Sequence, residues 1–230
     1  KDTALEAALA TALEAKLHTG AVNNGTVDWT FTLDNSKAQY LRQGETVTAT
    51  YTVVLKDTAD VPVSRTVTVT LTGANDAPET VVIANQTHDE QTTTDALSKD
   101  ISVSFKDVDF SETGHTLVFK SAAVTAGTDK AVKFTESELE GLLSNYTVTK
   151  AAGSDTGTAT LKFTAASTVF DYLAATESIT ITYTVTAKDA NGGEVDDSFE
   201  VTITGANDVV RLVQGDIVNA DPVLESTDAH

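Results

Sequence analysis

The tetrapeptide "GAND" occurs at 73–76 and again at 205–208, each time closing a run in which Val, Leu or Ile alternates with Thr. Other oxygen-bearing side chains accompany the first copy: Glu45 in "QGE", Asp107 and Asp109 in "KDVDFSE", and Asp189 in "KDANGG". Carboxylates, amides and backbone carbonyls are hard donors that hold Ca²⁺, whereas zinc or copper would ask for His or Cys. A D-x-D pair alone is weak evidence, because a solvated acidic loop carries it equally well. The chemistry depends on whether the chain brings these residues to one place.

An internal repeat supplies the frame. Shifted against itself by 132 positions, the stretch from Gly25 to Asp76 meets Gly157 to Asp208 without a gap, with about four positions in ten identical. Tyr40-Leu41 falls on Tyr172-Leu173, Glu45 on Glu177 and Tyr51 on Tyr183. Such a match identifies tandem modules. The chain therefore reads as 1–76, the back part of a first repeat; 77–208, a complete second; and 209–230, the start of a third or a tail. The opening "KDTALEAALA" reads like the interior of a longer chain.

Within each module the pattern is strand. "ETVTATYTVVL" (45–55) and "VSRTVTVTLT" (63–72) alternate apolar residues with Thr, as do "ESITITYTVTA" and "DSFEVTITG" in the second copy. A period of two marks a sheet with one buried face. "ISVSF" and "HTLVFKSAAV" add strands, and "DANGG" (189–193) joins two of them as a hairpin loop. Thr3 with Glu6, and Thr135 with Glu138, read as capping boxes, predicting helices over Ala4 to Leu17 and Glu136 to Leu143. The expected class is all-β, a tandem array with one β-sandwich and one short helix per repeat. Trp29 is expected in the core, and Tyr40 and Tyr172 as tyrosine corners.

Strand direction then does the spatial work. A final strand ending at "GAND" points at the next module, so the hairpin before that strand lies at the opposite end, beside the previous linker. A strand leaving the linker at Glu79 and another returning through "DISVSF" bring the D-x-D loop to that same end. Asn75, Asp76, Asp107, Asp109 and Asp189 should converge at the junction, with Glu45 approaching from the far side. Two full charges about 5 Å apart repel by on the order of 3 kcal/mol at an effective dielectric near 20. Either the loops splay apart or cations such as Ca²⁺ neutralise them.

Composition agrees and excludes. Asp and Glu number 34 against 15 Lys and Arg, a formal net charge of -19. That balance disfavours nucleic acid and anionic membranes. Cysteine is absent, which removes disulfides and thiol chemistry, and no apolar run approaches the roughly 18 residues of a membrane span. The histidines at 18, 88, 115 and 230 show no ligand spacing and are expected to be exposed. "THDE" (87–90) reads as an acidic loop, or as an added ligand near the far end of the domain. No G-x-S-x-G elbow and no facing carboxylate pair in a cleft points to an enzyme.

On "YTV…VTVTLTGANDAP" and "FKDVDFSETGHTLVF" the chain resembles the VCBS repeats of very large bacterial surface proteins, including RTX-type adhesins exported by type I secretion, and more distantly cadherin repeats. The resemblance implies strings of Ig-like or cadherin-like β-sandwich domains with Ca²⁺ at the junctions, in a monomeric extracellular protein whose partners are neighbouring repeats of the same chain. It places Asn75 and Asp76 in the linker, Asp107 and Asp109 in the D-x-D loop, Asp189 in the hairpin, and Glu45 at the close of an "LD-x-E"-like turn, although "LRQGE" lacks the Asp. At the second junction it implies Glu177, Asn207 and Asp208, in an incomplete site, since "DVVRLV" lacks the Ala-Pro and no D-x-D loop follows. The implied function is a calcium-stiffened extender projecting a distal binding domain. A calcium-dependent carbohydrate- or protein-binding module, or an accessory domain of a secreted enzyme, are the alternatives.

Overall fold

Alternating runs become strands throughout the computed structural model, which describes residues 2–19, 25–90, 92–93, 95–127 and 134–208. The first stretch comprises α1 (Asp2–Leu9), β1 (Leu13–Thr19), β2 (Gly25–Phe31), β3 (Thr46–Lys56) and β4 (Pro62–Thr72). The second comprises β5 (Thr80–Ile83), β6 (Gln86–Asp89), β7 (Leu97–Lys106), β8 (Thr116–Gly127), α2 (Glu136–Gly141), β9 (Leu143–Lys150), β10 (Thr156–Ala165), β11 (Ser178–Lys188) and β12 (Glu194–Thr204). Residues 209–230, and with them His230, lie outside the described residues.

Two four-stranded sheets, β5-β7-β10-β9 and β6-β12-β11-β8, make the β-sandwich. Neighbours are antiparallel except β6, which runs parallel to β12. Side chains one apart face opposite ways along a strand, so Ile181, Tyr183 and Val185 of β11 and Phe199, Val201 and Ile203 of β12 turn inward, buried against Ile101, Val103, Leu161 and Phe163. Tyr183 stacks on Phe199 with centroids 5.5 Å apart, and its hydroxyl donates to Leu139 O at 3.1 Å, tying α2 to the core. The capping box of α2 forms as expected, with Glu138 N donating to Thr135 Oγ1 at 3.3 Å and Thr135 N to Glu138 Oε2 at 2.7 Å.

The repeat is visible strand for strand. The shift of 132 lays β3 on β11, β4 on β12, and the 3₁₀ turn Asn35–Lys37 on Ser167–Val169. In the first stretch these strands form two separate hairpins, β1–β2 and β3–β4; among the described residues, no strand flanks them as β6 and β8 flank β12 and β11. Trp29 is accordingly 50% exposed instead of lying in a core, while its counterpart Leu161, on a strand between two neighbours, is 0% exposed.

Two other expectations need correction. The first helix stops at Leu9 rather than Leu17, because Leu13, Ala15 and Leu17 alternate with Glu14, Lys16 and His18, a period of two, and this segment pairs with β2 from Leu13↔Phe31 onward. Thr3 then lies inside α1 instead of capping it. Tyr172 makes no tyrosine-corner bond: its hydroxyl is buried without a hydrogen-bond partner.

Candidate cation site at the junction

Four connections meet at one end of the sandwich: the linker after β4, the loop between β7 and β8, the β9–β10 turn and the β11–β12 hairpin. Asp107 starts the β7–β8 loop, its N–H held by Asp155 O at 2.8 Å. Its Oδ1 accepts Asp109 N at 2.9 Å, the local turn that Asp favours, and its Oδ2 lies 2.6 Å from His115 Nε2. This turn aims Asp109 at the linker, where Asp109 Oδ2 accepts Asp76 N at 3.0 Å. The hairpin contributes Asp189, whose Oδ1 accepts Asn191 N and Gly193 N at 2.8 Å each, leaving Oδ2 to accept Asn75 Nδ2 at 2.9 Å.

Asn75, Asp76, Asp107, Asp109 and Asp189 are thus brought to one place. Glu45 joins less directly: its Oε2 accepts Ser111 Oγ at 2.7 Å, while Phe110 N donates to Tyr40 O at 3.2 Å and its ring meets that of Tyr40 edge-on. Turning the Gln39 amide so that its nitrogen faces the linker lets it donate to both Asp76 oxygens, at 3.2 and 3.0 Å.

Three further residues line the site without having been assigned to it from sequence. Glu112 curls back under the loop, its N–H on Asp109 O, and its Oε1 accepts Ala190 N at 3.1 Å and Asn191 Nδ2 at 2.7 Å. Lys150 donates from Nζ to Asp109 O at 2.6 Å and Glu112 O at 3.0 Å, fastening the loop through its carbonyls. His115, expected to be exposed, is buried beside Phe105. The other two described histidines differ: His18 lies on β1 near Asp28, and His88 on β6 is half-buried with its Nε2 unpartnered.

The electrostatics are those of a site short of positive charge. Asp109 is 0% exposed and Glu112 2%, yet Asp109 Oδ1, Glu112 Oε2 and Asn75 Oδ1 are buried with no hydrogen-bond partner. A buried unsatisfied polar atom costs about 1–3 kcal/mol, more when charged. Burial, with the neighbouring charges of Asp107, Asp76 and Glu112, pushes Asp109 up to about 6, against the lowering effect of its bond from Asp76 N–H. Burial also raises Glu112, helped by Asp189 and Asp107, and raises Asp76, helped by Asp107 and Glu79.

A carboxyl whose pKa rises on folding holds its proton more tightly in the folded chain, so folded stability falls as pH climbs from the ordinary value near 4 to about 6. Without divalent ions, acidification from pH 7.5 to 5.5 is therefore expected to stabilise the wild type relative to an Asp109→Asn variant. The comparison with the variant is needed because Glu112 and Asp76, also raised by burial, act in the same direction as Asp109, and His88, lowered mainly by burial, in the opposite one. Thermal melts of both proteins in chelator test this; a wild type that loses ground to the variant on acidification contradicts it.

At the far end the sequence-predicted residues do not all assemble. Glu177 closes its own turn, its Oε2 accepting Ala174 N at 2.9 Å, and Asn207 Nδ2 lies 3.4 Å from Asp208 O. Asp208 instead gathers with Glu90 and Asp171.

No family model matches the sequence, and no curated protein does. Among solved structures the chain is similar to protocadherin gamma B2 extracellular cadherin domains 1–5, at 16% identity and a TM-score of 0.41, over 84% of this chain and 31% of that one. It is likewise similar to the protocadherin gammaB4 extracellular domain, at 16% identity and a TM-score of 0.41, covering 85% of this chain and 27% of that one. A third is CfaE, the adhesive subunit of CFA/I fimbria of enterotoxigenic Escherichia coli, at 12% identity and a TM-score of 0.38, covering 79% and 63%. The chain thus spans less than a third of each protocadherin chain. Similarity at this level carries no functional argument, and the β-sandwich rests on the strand order itself.

Proposed function

We propose that this chain is a pair of extender modules from an extracellular, non-enzymatic adhesive protein, and that Ca²⁺ at the junction stiffens the joint between them. The observation that carries the proposal is the gathering of Asp76, Asp107, Asp109, Glu112 and Asp189 from three segments, with buried oxygens that no described donor satisfies. Lys150 is engaged with the backbone carbonyls of Asp109 and Glu112. Hard anionic oxygens in such number suit Ca²⁺, which takes six to eight oxygen ligands. Asp76, Asp109, Asp189 and Asn75 would hold it once their side chains close in, and Glu112 would supply a further oxygen; in the structure the ligand atoms already within 4.8 Å of one another at this end are those of Asp107, Glu112 and His115.

The mechanical consequence follows from where those ligands sit. Asn75 and Asp76 belong to the linker, so an ion shared with Asp109 and Asp189 holds the linker to the second module. At a dissociation constant of about 10⁻⁴ M, millimolar Ca²⁺ contributes about 1.4 kcal/mol per site, enough to decide between a bent and a straight joint. At lower free Ca²⁺ the joint loosens, which suits export before folding, as the resemblance to RTX-type adhesins implies. The distal ligand of the parent protein belongs to another part of it.

Small-angle scattering in millimolar Ca²⁺ and in chelator tests the proposal. A larger maximum dimension and narrower distance distribution in Ca²⁺ are expected, together with a raised melting temperature. Superimposable curves in the two buffers contradict it.

A further inference from the structure

Three Asn-x-Ser/Thr triplets occur in the chain: Asn24-Gly25-Thr26, Asn85-Gln86-Thr87 and Asn145-Tyr146-Thr147. The triplet marks an asparagine that can accept a sugar on Nδ2 when it is exposed on an extracellular chain. It also arises by chance, so the way each asparagine is presented decides the matter. Asn24 lies outside the described residues.

Asn145 sits where β9 departs from its neighbour. β9 pairs with β10 at Ser144↔Lys162 and again at Thr147↔Thr160, so Asn145 and Tyr146 together face the single residue Leu161. Two residues against one make a β-bulge. Asn145 takes its left-handed position, at φ 60°, which Asn adopts more readily than most residues that carry a Cβ. The bulge lies on an outer strand, because β9 ends the sheet β5-β7-β10-β9. Tyr146 packs against the core, while Asn145 and Thr147 are exposed. Thr147 Oγ1 donates to Asn145 Oδ1 at 3.1 Å, and Asn145 Nδ2 donates to nothing among the described residues.

We infer that Asn145 is a glycosylation site, receiving its sugar from a glycosyl diphosphate donor, nucleotide- or polyprenyl-linked. In the transfer Nδ2 attacks the anomeric carbon and forms the N–C bond. The bond from that carbon to the donor's phosphate oxygen breaks, the diphosphate leaves with the electron pair, and the amide proton passes to a base of the transferase. An amide nitrogen is a weak nucleophile because its lone pair is delocalised into the carbonyl. A hydroxyl donating to Oδ1 opposes that weakness, since it stabilises the negative charge the oxygen takes up as the N–H is lost. The Thr147 bond supplies this in the folded chain.

Asn85 is the internal contrast. It is equally exposed, but its Oδ1 accepts Glu200 N at 2.9 Å and its Nδ2 donates to Glu200 Oε2 at 3.4 Å. Its amide is therefore held against β12, and among the described residues Thr87 makes no bond to it. The first module has neither feature: Leu13 and Ala15 stand 132 positions before Asn145 and Thr147, and β1 pairs with β2 there without a bulge. A sugar on Asn145 stands beside the free edge of β9, whose unpaired N–H and C=O groups are otherwise open to another strand. It would act against edge-to-edge pairing of modules. No residue of this site is shared with the junction, so either reading can fail without the other.

The test is peptide mass spectrometry on the protein purified from the organism that makes it. A hexose-containing adduct is expected on the peptide carrying Asn145, with Asn85 unmodified. Thr147→Val, which keeps the β-branched shape and removes the hydroxyl, is expected to abolish the adduct, and Thr147→Ser to retain it. Circular dichroism of both variants should stay that of the wild type. A ladder of sugar lengths assigns stepwise transfer from a nucleotide-linked donor, and one fixed oligosaccharide assigns transfer from a polyprenyl-linked one. An Asn145 peptide recovered only unmodified, or an adduct that survives Thr147→Val, overturns the inference.

Discussion

Replacing Asp109 by Asn is expected to raise the melting temperature in chelator and to lower it in millimolar Ca²⁺. Without an ion, Asp109 is a fully buried carboxylate with one oxygen bonded to Asp76 N–H and the other unpartnered. With its pKa pushed up to about 6 it is ionised at neutral pH despite the burial. Asn keeps an oxygen for the Asp76 bond and turns an NH₂ toward the neighbouring carboxylates, removing a penalty of about 1–3 kcal/mol. In Ca²⁺ the same change removes an anionic ligand. With millimolar Ca²⁺ over a dissociation constant of about 10⁻⁴ M, about 1.4 kcal/mol of stabilisation is at stake. At roughly 2–4 °C per kcal/mol for a chain of this size, the two shifts are measurable and opposite in sign. Shifts of the same sign in both buffers would remove the basis for a cation at this position.

The second large effect is expected from a residue that ligates nothing. A Cβ added at Gly193 would lie 2.2 Å from Asp189 Oδ2, 2.7 Å from Ala77 Cα and 2.8 Å from Ala77 Cβ. Gly193→Ala must therefore push the linker off the hairpin or rotate Asp189 away from Asn75, breaking the 2.9 Å bond between them. The loop itself keeps its shape, because its positive-φ residue is Gly192, at 98°. Position 61, the equivalent in the first module, is a valine 59% exposed. A side chain is thus accommodated at the equivalent position of that turn. Gly193→Ala is expected to weaken Ca²⁺ binding tenfold or more, at about 1.4 kcal/mol per factor of ten, while far-ultraviolet circular dichroism stays that of a folded β protein. Wild-type affinity in this variant would place the hairpin outside the site.

What could be read in advance follows from which interactions are local. Strands β3, β4, β11 and β12 were legible because period-two alternation and a gapless repeat are properties of sequence alone. The meeting of Asp107, Asp109 and Asp189 at one end was legible because strand direction alone decides it. Glu112 was not: the D-x-D pattern ends at Asp109, and only the turn from Glu112 N to Asp109 O folds the glutamate back beneath it. The "SE" directly after "DVDF" was the available signal. His115 was misjudged because burial here comes from Phe105 and Asp107, contacts that spacing does not reveal. Trp29 was misjudged for the opposite reason, since a core needs partner strands, and among the described residues β2 has only β1. The expected first helix runs past Leu9 because a capping-box pattern marks where a helix starts and not where it ends, whereas the period-two run from Leu13 to His18 pairs as a strand. Asp171 was invisible as a candidate because the repeat aligns it with an uncharged glutamine.

The most direct measurement is an anomalous difference map from crystals grown in millimolar Ca²⁺. A calcium peak is predicted among the carboxylates of Asp76, Asp109 and Asp189, with oxygen ligands at about 2.3–2.6 Å and with Glu112 Oε2 turned toward it. A map with no anomalous peak there, and ordinary water between those side chains, would contradict a cation-locked joint.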